Sequence, residues 1–267
     1  MAQVIAAECF QGNEPKELKT FPESSELSQS WFAAAYLSIE YSYCKFQQLG
    51  YPEDVWLDTM SDMVIWLRHE QRNNKVVGLG PVARLWTAFL YNGKVIRRGR
   101  LECNTDGLFK GNDLVGADNK PLLAHGDAVI NIHIPEDRAL DLELCSCSLR
   151  DMAAFFAAYR KDHHWKAVIC QSWLLDTQLA DMLPESSNII KFQKLGMHYP
   201  VEEAADTVFR IFGSQDPLSI EKPTLLQRKA AEFLRNNGVF REEGMVILRS
   251  KLEEVNFDLG KLTGSCK

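Results

Sequence analysis

The sequence predicts an α/β (α+β) protein in which a mainly helical N-terminal part precedes a mixed-sheet domain. Apolar residues recur at helical spacing through the first ninety residues, and the pattern becomes that of strands after Gly93. Residues 128–175 then read as strand, helix, strand. The length of 267 residues allows two closely packed domains. We predict a helical domain at residues 1–120, with a strand at about 94–103 that can join the sheet, and a sheet domain at residues 121–267.

Composition and charge exclude several classes of partner. The net charge is −6 and the sequence pI is about 5.6, so the chain lacks the basic surface that nucleic acids and anionic membranes require. Seven irregularly spaced cysteines without a CxxC pair argue against a disulfide framework and a structural zinc site. We see no signal-peptide pattern and no run of roughly 18 apolar residues. We therefore expect a cytoplasmic protein with no metal, nucleic-acid or membrane partner; the oligomeric state stays open.

The first ninety residues contain three predicted helices. Ser24 and Ser25 can cap the first helix, which runs to about Gly50. Pro52 suits the first turn of the second helix, whose apolar residues recur at helical spacing. Gly80-Pro81 opens a third, shorter helix. Four of the six tryptophans fall on the apolar faces of these helices, and we interpret them as core residues.

The flanks of the central segment contain further strands and helices. Residues 94–103 have the pattern of a strand, and residues 117–121 are the best candidate for a linker or a hairpin tip. Residues 207–213 are rich in β-branched and aromatic side chains and predict another strand. Pro223-Thr224 begins a predicted helix, and Gly244–Leu248 is a short predicted strand.

Residues 128–175 form the centre of the predicted sheet domain. A β-rich run over Val129–Ile134 is terminated by Pro135, an amphipathic helix from about Asp141 to Tyr159 follows, and Ala167–Leu175 is the second β-rich run. Two strands joined by a crossover helix are parallel neighbours with a right-handed connection. Ligands of open α/β sheets bind beyond the carboxyl ends of such strands, so we expect the functional site there.

Three polar side chains near these strand ends are candidates for chemistry. His133 lies on the face of its strand opposite the isoleucines, and its neutral imidazole could act as a general base. Cys170 and Ser172 share a face of the second strand, and a nucleophile there would need a base within hydrogen-bond reach, which His133 could supply. Packing roles for all three remain the simpler interpretation. The sequence contains no GxSxG, P-loop, GxGxxG or HExxH motif.

The N-terminus of the predicted crossover helix is surrounded by acids. A helix N-terminus beside a strand end offers unpaired N–H groups to a phosphate. Here Glu136, Asp137 and Asp141 lie close to that point, and Arg138 is the only cation near them in sequence. Asp141 is a good N-cap residue. We expect these acids to repel a diphosphate.

Several segments resemble one known family. They are His133-Ile134-Pro135, Phe155-Phe156, Gln171 to Asp176, Leu183-Pro184, Ser187 to Ile190, Phe192-Gln193, and, more distantly, Arg84-Leu85-Trp86, Gly93-Lys94, Arg98 to Leu101 and Leu226-Gln227-Arg228. The pattern resembles a bacterial acyltransferase-like family that pairs a helical N-terminal domain with a C-terminal domain similar to the Gcn5-related N-acetyltransferases (GNAT). The resemblance covers roughly residues 50 to 250.

The resemblance implies a GNAT-like fold in which two central parallel strands splay apart to admit an acyl-coenzyme A. It implies an acyltransferase that uses acetyl-coenzyme A or another acyl-coenzyme A as co-substrate and a small-molecule amine as acceptor. His133 would be the base, and Ser172 or, less favoured, Cys170 would protonate the thiolate. The residues expected to contact the cofactor are Ile134, Pro135, Arg138, Leu140 and Trp173. Trp173 would also form a wall of the acceptor pocket.

The chain departs from the superfamily pattern at three places. No glycine occurs between Glu136 and Leu144, where the superfamily has a glycine-rich phosphate loop. Phe192 stands where many members have a tyrosine acid, and Gln171 stands where members commonly have a histidine. These departures leave open a second hypothesis, a noncatalytic ligand-binding or interaction module that retains the fold. A thiol hydrolase that uses Cys170 and His133 is a third, weaker alternative.

Overall fold

The computed structural model describes residues 1–11, 24–116, 119–201, 207–213 and 216–252. The chain forms two compact units that alternate along the sequence. The predicted domain boundary near residue 120 stays a prediction. The first unit consists of Met1–Thr105, Ile134–Ala139 and Asp151–Lys161, and the second of Asp106–His133, Leu140–Arg150 and Asp162–Lys267.

The first unit is mainly helical, as its apolar periodicity predicted. Its helices are α1 (Ala2–Ile5, continued by a π-helical turn at Ala6–Phe10), α2 (Ser25–Leu37), α3 (Ile39–Gln48), α4 (Glu53–Met60), α5 (Asp62–Asn74) and α6 (Pro81–Tyr91). The Ser24 side chain accepts the Leu27 N–H, as an N-cap does. The single helix predicted to run to Gly50 is interrupted at Ser38, whose hydroxyl turns back to the Ala34 carbonyl. This local hydrogen bond competes with the helical pattern.

The predicted strand at residues 94–103 is two strands. β1 (Val95–Arg98) and β2 (Leu101–Asn104) pair in antiparallel fashion, with Arg98 opposite Leu101. Gly99 has a φ of 64°, which allows the chain to reverse there. In sequence the residues across the turn are three arginines and one glycine, so this single glycine was the only turn signal.

The second unit begins with a small hairpin of β3 (Leu114–Val115) and β4 (Pro121–Leu123), which pair in antiparallel fashion. The candidate linker or hairpin tip at residues 117–121 lies between them, and Ala117 and Asp118 are outside the described residues.

The main sheet of the second unit is mixed. Its strands run in the order β5 (Val129–His133), β6 (Ala167–Ser172), β8 (Glu243–Leu248) and β7 (Met197–Pro200). β5 and β6 are parallel, whereas β6 with β8 and β7 with β8 are antiparallel. Helix α7 (Leu142–Tyr159) connects the two parallel strands in sequence. The α+β class with a mixed sheet and a helical N-terminal region is therefore confirmed.

Three helices follow the parallel pair: α8 (Asn188–Gln193), α9 (Thr207–Phe212) and α10 (Leu225–Arg235). The strand predicted at residues 207–213 is wrong, because this segment is α9. Its buried residues are Thr207, Ile211 and Phe212, a helical spacing, and the last two pack with Ala230 of α10. Burial against α10 overrides the strand propensity of its side chains.

None of the helices within the described residues is both long enough and apolar enough to cross a membrane.

Candidate functional site

The pairing between the two parallel strands of the second unit ends before the strands themselves do. Their register runs from Val129 opposite Ala167 to Ile132 opposite Cys170 and stops there. β5 continues to His133, and β6 continues to Ser172 on the β8 side of the sheet. The pairing therefore ends one residue before the end of β5 and two residues before the end of β6, and the splay of the two strands stays a prediction. Strand ends of this kind are where α/β sheets bind ligands.

His133 lies at this end of β5. Ile132 and Cys170 are paired and share one face of the sheet, so the next residues along each strand, His133 and Gln171, point to the other face. His133 keeps some accessible surface, but its surroundings lower the pKa of the imidazole by burial to about 4. The ring is therefore neutral at pH 7 and can accept a proton.

Ser172 ends β6 on the opposite face, next to Glu243 of β8, its cross-strand partner. The Ser172 Oγ accepts the N–H of Leu174 at 3.2 Å and caps a 3-10 helix at Trp173–Leu175. This hydrogen bond fixes the position of the hydroxyl oxygen and leaves its proton available for donation.

Cys170 has the surroundings of a core thiol. It is 1% exposed, and burial raises the pKa of its thiol to about 12. It also faces away from His133, since Ile132 and Cys170 are register partners. The structure therefore does not bring the thiol and the imidazole together as a nucleophile and its base.

Trp173 packs against the apolar cluster that α8, α9 and α10 form in the second unit. Leu140, also predicted to contact the cofactor, is buried in this unit. The other predicted contacts, Ile134, Pro135 and Arg138, belong to the loop that continues β5 into the first unit.

That loop, residues 134–139, is organised around one buried arginine. The guanidinium of Arg100, which is 2% exposed, donates to the carbonyls of Pro135 at 2.9 Å, Arg138 at 2.8 Å and Ala139 at 3.1 Å. In a trans peptide the N–H points opposite to the preceding carbonyl. Three carbonyls directed at Arg100 therefore turn the N–H groups that follow them, including those of Glu136 and Ala139, away from the guanidinium. Backbone N–H groups that are turned to one side of a loop can bind an anion.

The acids beside this loop are neutralised by residues that are distant in sequence. Arg97 donates to Asp137 at 2.6 Å, and Arg100 and Arg138 lie within 3.7 Å of the same carboxylate. Although burial alone would raise it, the guanidinium groups of Arg97 and Arg138 hold the pKa of Asp137 below its ordinary value. The expectation that Arg138 is the only opposing cation is therefore wrong, because strand β1 supplies Arg97 and the turn after it supplies Arg100.

Glu136 is paired in the same way. The hydrogen bond from His69 and the guanidinium of Arg72, both on α5, lower the pKa of the Glu136 carboxyl. Asp141, the third acid, lies in the second unit, where it accepts the Leu144 N–H at 3.0 Å as a helix cap. Each of the three acids therefore has a local partner, which weakens the predicted repulsion of a diphosphate.

A cleft of about 720 Å³ opens in the second unit at the end of the β7–β8 pair. Its walls come from three places: residues 198–201 of β7 and beyond, residues 238–243 leading into β8, and the helices α9 and α10 through Val208 and Leu234. Most of these side chains are apolar. The polar ones are His198, Arg241, Glu242 and Glu243.

Glu243 and His198 are in hydrogen-bond contact at this cleft. The Glu243 carboxylate receives His198 Nδ1 at 3.0 Å through one oxygen and the Thr177 hydroxyl at 2.9 Å through the other. His198 Nε2 lies 2.8 Å from the Gln193 carbonyl and must donate to it. The sequence analysis did not predict this contact between His198 and Glu243. The only signal in the sequence was two successive acids, Glu242-Glu243, at the start of an apolar strand.

Tyr199 is buried beside the cleft on the His133 face of the sheet. Its ring lies over Gly244, where a Cβ atom would come within 2.1 Å of the ring. The hydroxyl lies beside the Gln171 amide but makes no hydrogen bond of good geometry with any described residue. Burial raises the pKa of the Tyr199 phenol to about 12, against a smaller opposing influence of Gln171.

Asp176 connects the end of β6 with the cleft. It is fully buried, and its carboxylate accepts N–H groups from Gln178 at 3.0 Å and Arg241 at 2.8 Å. Gln178 in turn donates to the Val239 carbonyl. The segment Gln171 to Asp176, the most specific part of the resemblance, therefore includes a hub that holds the 239–241 edge of the cleft near the strand end.

Among the described residues, no group of three or more histidine, cysteine, aspartate or glutamate side chains is arranged to hold a metal ion.

The fold is similar to solved acyltransferases. One, in complex with decanoyl-CoA, superposes with a TM-score of 0.71 at 19% identity and covers 92% of this chain and 75% of that chain. Another, in complex with decanoyl-CoA and teicoplanin, has a TM-score of 0.67 at 18% identity and covers 83% and 66%, respectively. The chain thus spans about two thirds of the length of that protein. At such identities the likeness concerns the fold.

The chain matches no curated protein. The family model of the GNAT-like C-terminal domain, by contrast, matches residues 95–246, which is more than half of the chain. This range contains the hairpin with Arg100, the end of the β5–β6 pairing, and most of the cleft. The protein therefore belongs to the GNAT-like C-terminal domain family.

Proposed function

We propose that the protein transfers an acyl group from an acyl-coenzyme A to an amine by direct attack. The observation that carries this proposal is the end of the β5–β6 register at Ile132 and Cys170, with polar side chains directly beyond it. The solved acyltransferases of similar fold are complexes with decanoyl-CoA, which supports an acyl-coenzyme A as donor.

In this proposal the thioester lies between the two strand ends, with His133 on one face of the sheet and Ser172 on the other. Ile134, Pro135 and Arg138 stay predicted contacts of the coenzyme, and the loop that carries them has N–H groups that can bind an anion such as a diphosphate. Leu140 and Trp173 complete the predicted set. The Arg100-held loop supports this assignment, because it turns backbone N–H groups outward without any glycine.

The chemistry requires one proton acceptor and one proton donor. The amine nitrogen bonds to the thioester carbonyl carbon, and neutral His133 takes one proton from it, directly or through water. N–H groups at the strand ends stabilise the tetrahedral oxyanion. The C–S bond then breaks, and the thiolate takes a proton from Ser172 Oγ. Solvent returns the proton from His133 to Ser172, so the exchange yields an amide and a free thiol. We leave Cys170 out of this sequence because its thiol is fully buried.

The alternative is a noncatalytic module, and Phe192 favours it. Phe192 stands at the position of the superfamily tyrosine, is only 1% exposed, and has no proton to donate to a leaving thiolate.

Calorimetric titration with acetyl-, octanoyl- and decanoyl-coenzyme A tests the donor, and the release of free thiol in the presence of an amine tests turnover. We expect micromolar binding and amine-dependent thiol release. Binding without release would identify a noncatalytic module. Absence of binding at millimolar ligand would overturn the proposal.

A further inference from the structure

We propose that the first unit holds one buried proton between the carboxyl groups of Glu102 and Asp62, and that losing this proton as the pH rises destabilises the unit. The pair connects strand β2 with helix α5. Both carboxyls and the charged groups around them belong to the first unit. The inference does not depend on the proposed acyl transfer, because neither carboxyl takes part in that reaction.

Glu102 is a carboxyl group with almost no access to solvent. The residue is 2% exposed, and its Oε1 atom makes no hydrogen bond with any described residue. A charged carboxylate with an oxygen left unpaired in such surroundings is strongly unfavourable, whereas the carbonyl oxygen of a neutral acid is much less so. The burial of Glu102 therefore favours its protonated form.

Asp62 is placed to accept a hydrogen bond from that protonated form. Its Oδ2 atom accepts the indole N–H of Trp66 at 2.7 Å and that of Trp86 at 3.1 Å. Two N–H donors on one oxygen suit an ionised carboxylate. The Glu102 carboxyl lies within hydrogen-bond reach of Asp62 as well, and two carboxyls in such contact bond to each other only when one of them carries a proton.

The buried arginines nearby do not balance three ionised carboxyls. Arg97 is the cross-strand partner of Glu102, so the two side chains share one face of the hairpin. Its guanidinium is directed to Asp137 at 2.6 Å and lies 4.0 Å from Asp62. Arg100 lies 3.7 Å from Asp137. Three carboxyls therefore share two buried guanidinium groups, and one retained proton makes the charges equal.

The other charged groups beside this cluster are more accessible to solvent. Arg138 contacts Asp137 at 3.2 Å, but its side chain is 53% exposed. Arg98 pairs with Asp54, whose side chain is 67% exposed. Solvent screens such contacts. Cys103, which follows Glu102 in β2, stays a neutral thiol because burial raises its pKa.

The surroundings give the pair a defined response to pH. Burial first, and the Asp62 carboxylate second, raise the pKa of Glu102 well above its ordinary value. Burial also raises the pKa of Asp62, against the hydrogen bonds that it receives. Between the ordinary and the raised pKa of Glu102 the folded chain binds more protons than the unfolded chain. Stability from this proton is therefore lost as the pH rises through that window.

Glu102→Gln tests the proposal, because the amide has nearly the same shape, stays neutral at every pH and keeps an N–H donor for Asp62. Denaturant titrations give the unfolding equilibrium constants of parent and variant. We expect the ratio of the parent constant to the variant constant to rise at least tenfold from pH 5 to pH 8. Glu40→Gln, at an exposed position of α3, is the control and should give a constant ratio. A ratio for Glu102→Gln that does not change with pH would overturn the proposal.

Infrared spectroscopy detects the proton itself. At pH 6 we expect the parent to show the carbonyl stretch of a protonated carboxylic acid, which Glu102→Gln removes and Glu40→Gln retains. Asp62→Asn supplies a second test should Glu102→Gln not fold. Without the negative neighbour the pKa of Glu102 falls, so the band should disappear at a lower pH than in the parent. A parent spectrum without the band, or a band that the Glu102 and Asp62 variants leave unchanged, would refute the shared proton.

Discussion

At the scale of single residues, Arg100 determines the conformation of the loop after β5. Its guanidinium contacts three carbonyls of that loop and lies 3.7 Å from Asp137. Lysine keeps the charge but lacks the planar set of donors that spans three acceptors at once. The loop therefore depends on the shape of this side chain as well as on its charge.

We predict that Arg100→Lys raises the KM for acetyl-coenzyme A at least tenfold and leaves turnover of acetyl-pantetheine, which has no diphosphate, unchanged. Arg98→Lys is the matched control, since Arg98 belongs to the same hairpin and pairs with the largely exposed Asp54. Steady-state kinetics with both donors make the measurement. Equal losses with both donors would show that Arg100 does not act through the diphosphate loop.

The thiol of Cys170 is expected to be unreactive. Because it is 1% exposed and its pKa is raised by burial to about 12, almost none of it is thiolate at neutral pH. We predict that iodoacetamide modifies the exposed Cys44 at least a hundredfold faster, as mass spectrometry of tryptic peptides would show. We also expect Cys170→Ala to retain thiol release. Rapid, stoichiometric labelling of Cys170 with loss of activity would instead support the thiol-hydrolase alternative.

At the scale of elements, the packing of β7 on β8 depends on Gly244. Any Cβ at this position would meet the Tyr199 ring at 2.1 to 2.5 Å. We predict that Gly244→Ala lowers the free energy of unfolding by about 2 kcal/mol, the range of overpacked cores. In a Tyr199→Leu background the same substitution should cost about 1 kcal/mol less. Urea denaturation of the double-mutant cycle measures the difference, and strict additivity would show that the ring is not the cause.

At the scale of the whole molecule, buried neutral His133 couples stability to pH. Burial lowers the pKa of its imidazole from 6.5 to about 4, so between these values the unfolded chain binds more protons than the folded one. Stability from this residue is complete above pH 6.5 and is lost as pH falls toward 4. Allowing for partial solvent access, the loss is about 2 kcal/mol.

We therefore predict that His133→Gln flattens the decline in unfolding free energy between pH 6.5 and 4 relative to the parent protein. The difference between the two proteins isolates His133, since the other titrating groups are common to both. His125→Gln, at an exposed loop position, is the control and should leave the decline unchanged. Denaturant titrations at half-unit pH steps provide the measurement. Parallel pH profiles for the His133 variant and the parent would refute the coupling.

By itself the sequence determined the elements whose patterns are local. The helical periodicity of the first ninety residues, the strand–helix–strand order around α7 and the family motif near Gln171 all follow from neighbouring residues. It failed at residues 94–103 and 207–213, where a turn residue and burial against α10 decided the outcome. Periodicity does not report either effect.

Only the tertiary structure decided how the candidate site is assembled. It placed Arg97 and Arg100 beside the acids of the 134–139 loop, and it paired Glu243 with His198 and Ser172. These partners are 37 to 71 positions apart in sequence. The physical reason is that charged and polar groups interact according to their distance in space, and sheet register and hairpin turns determine that distance.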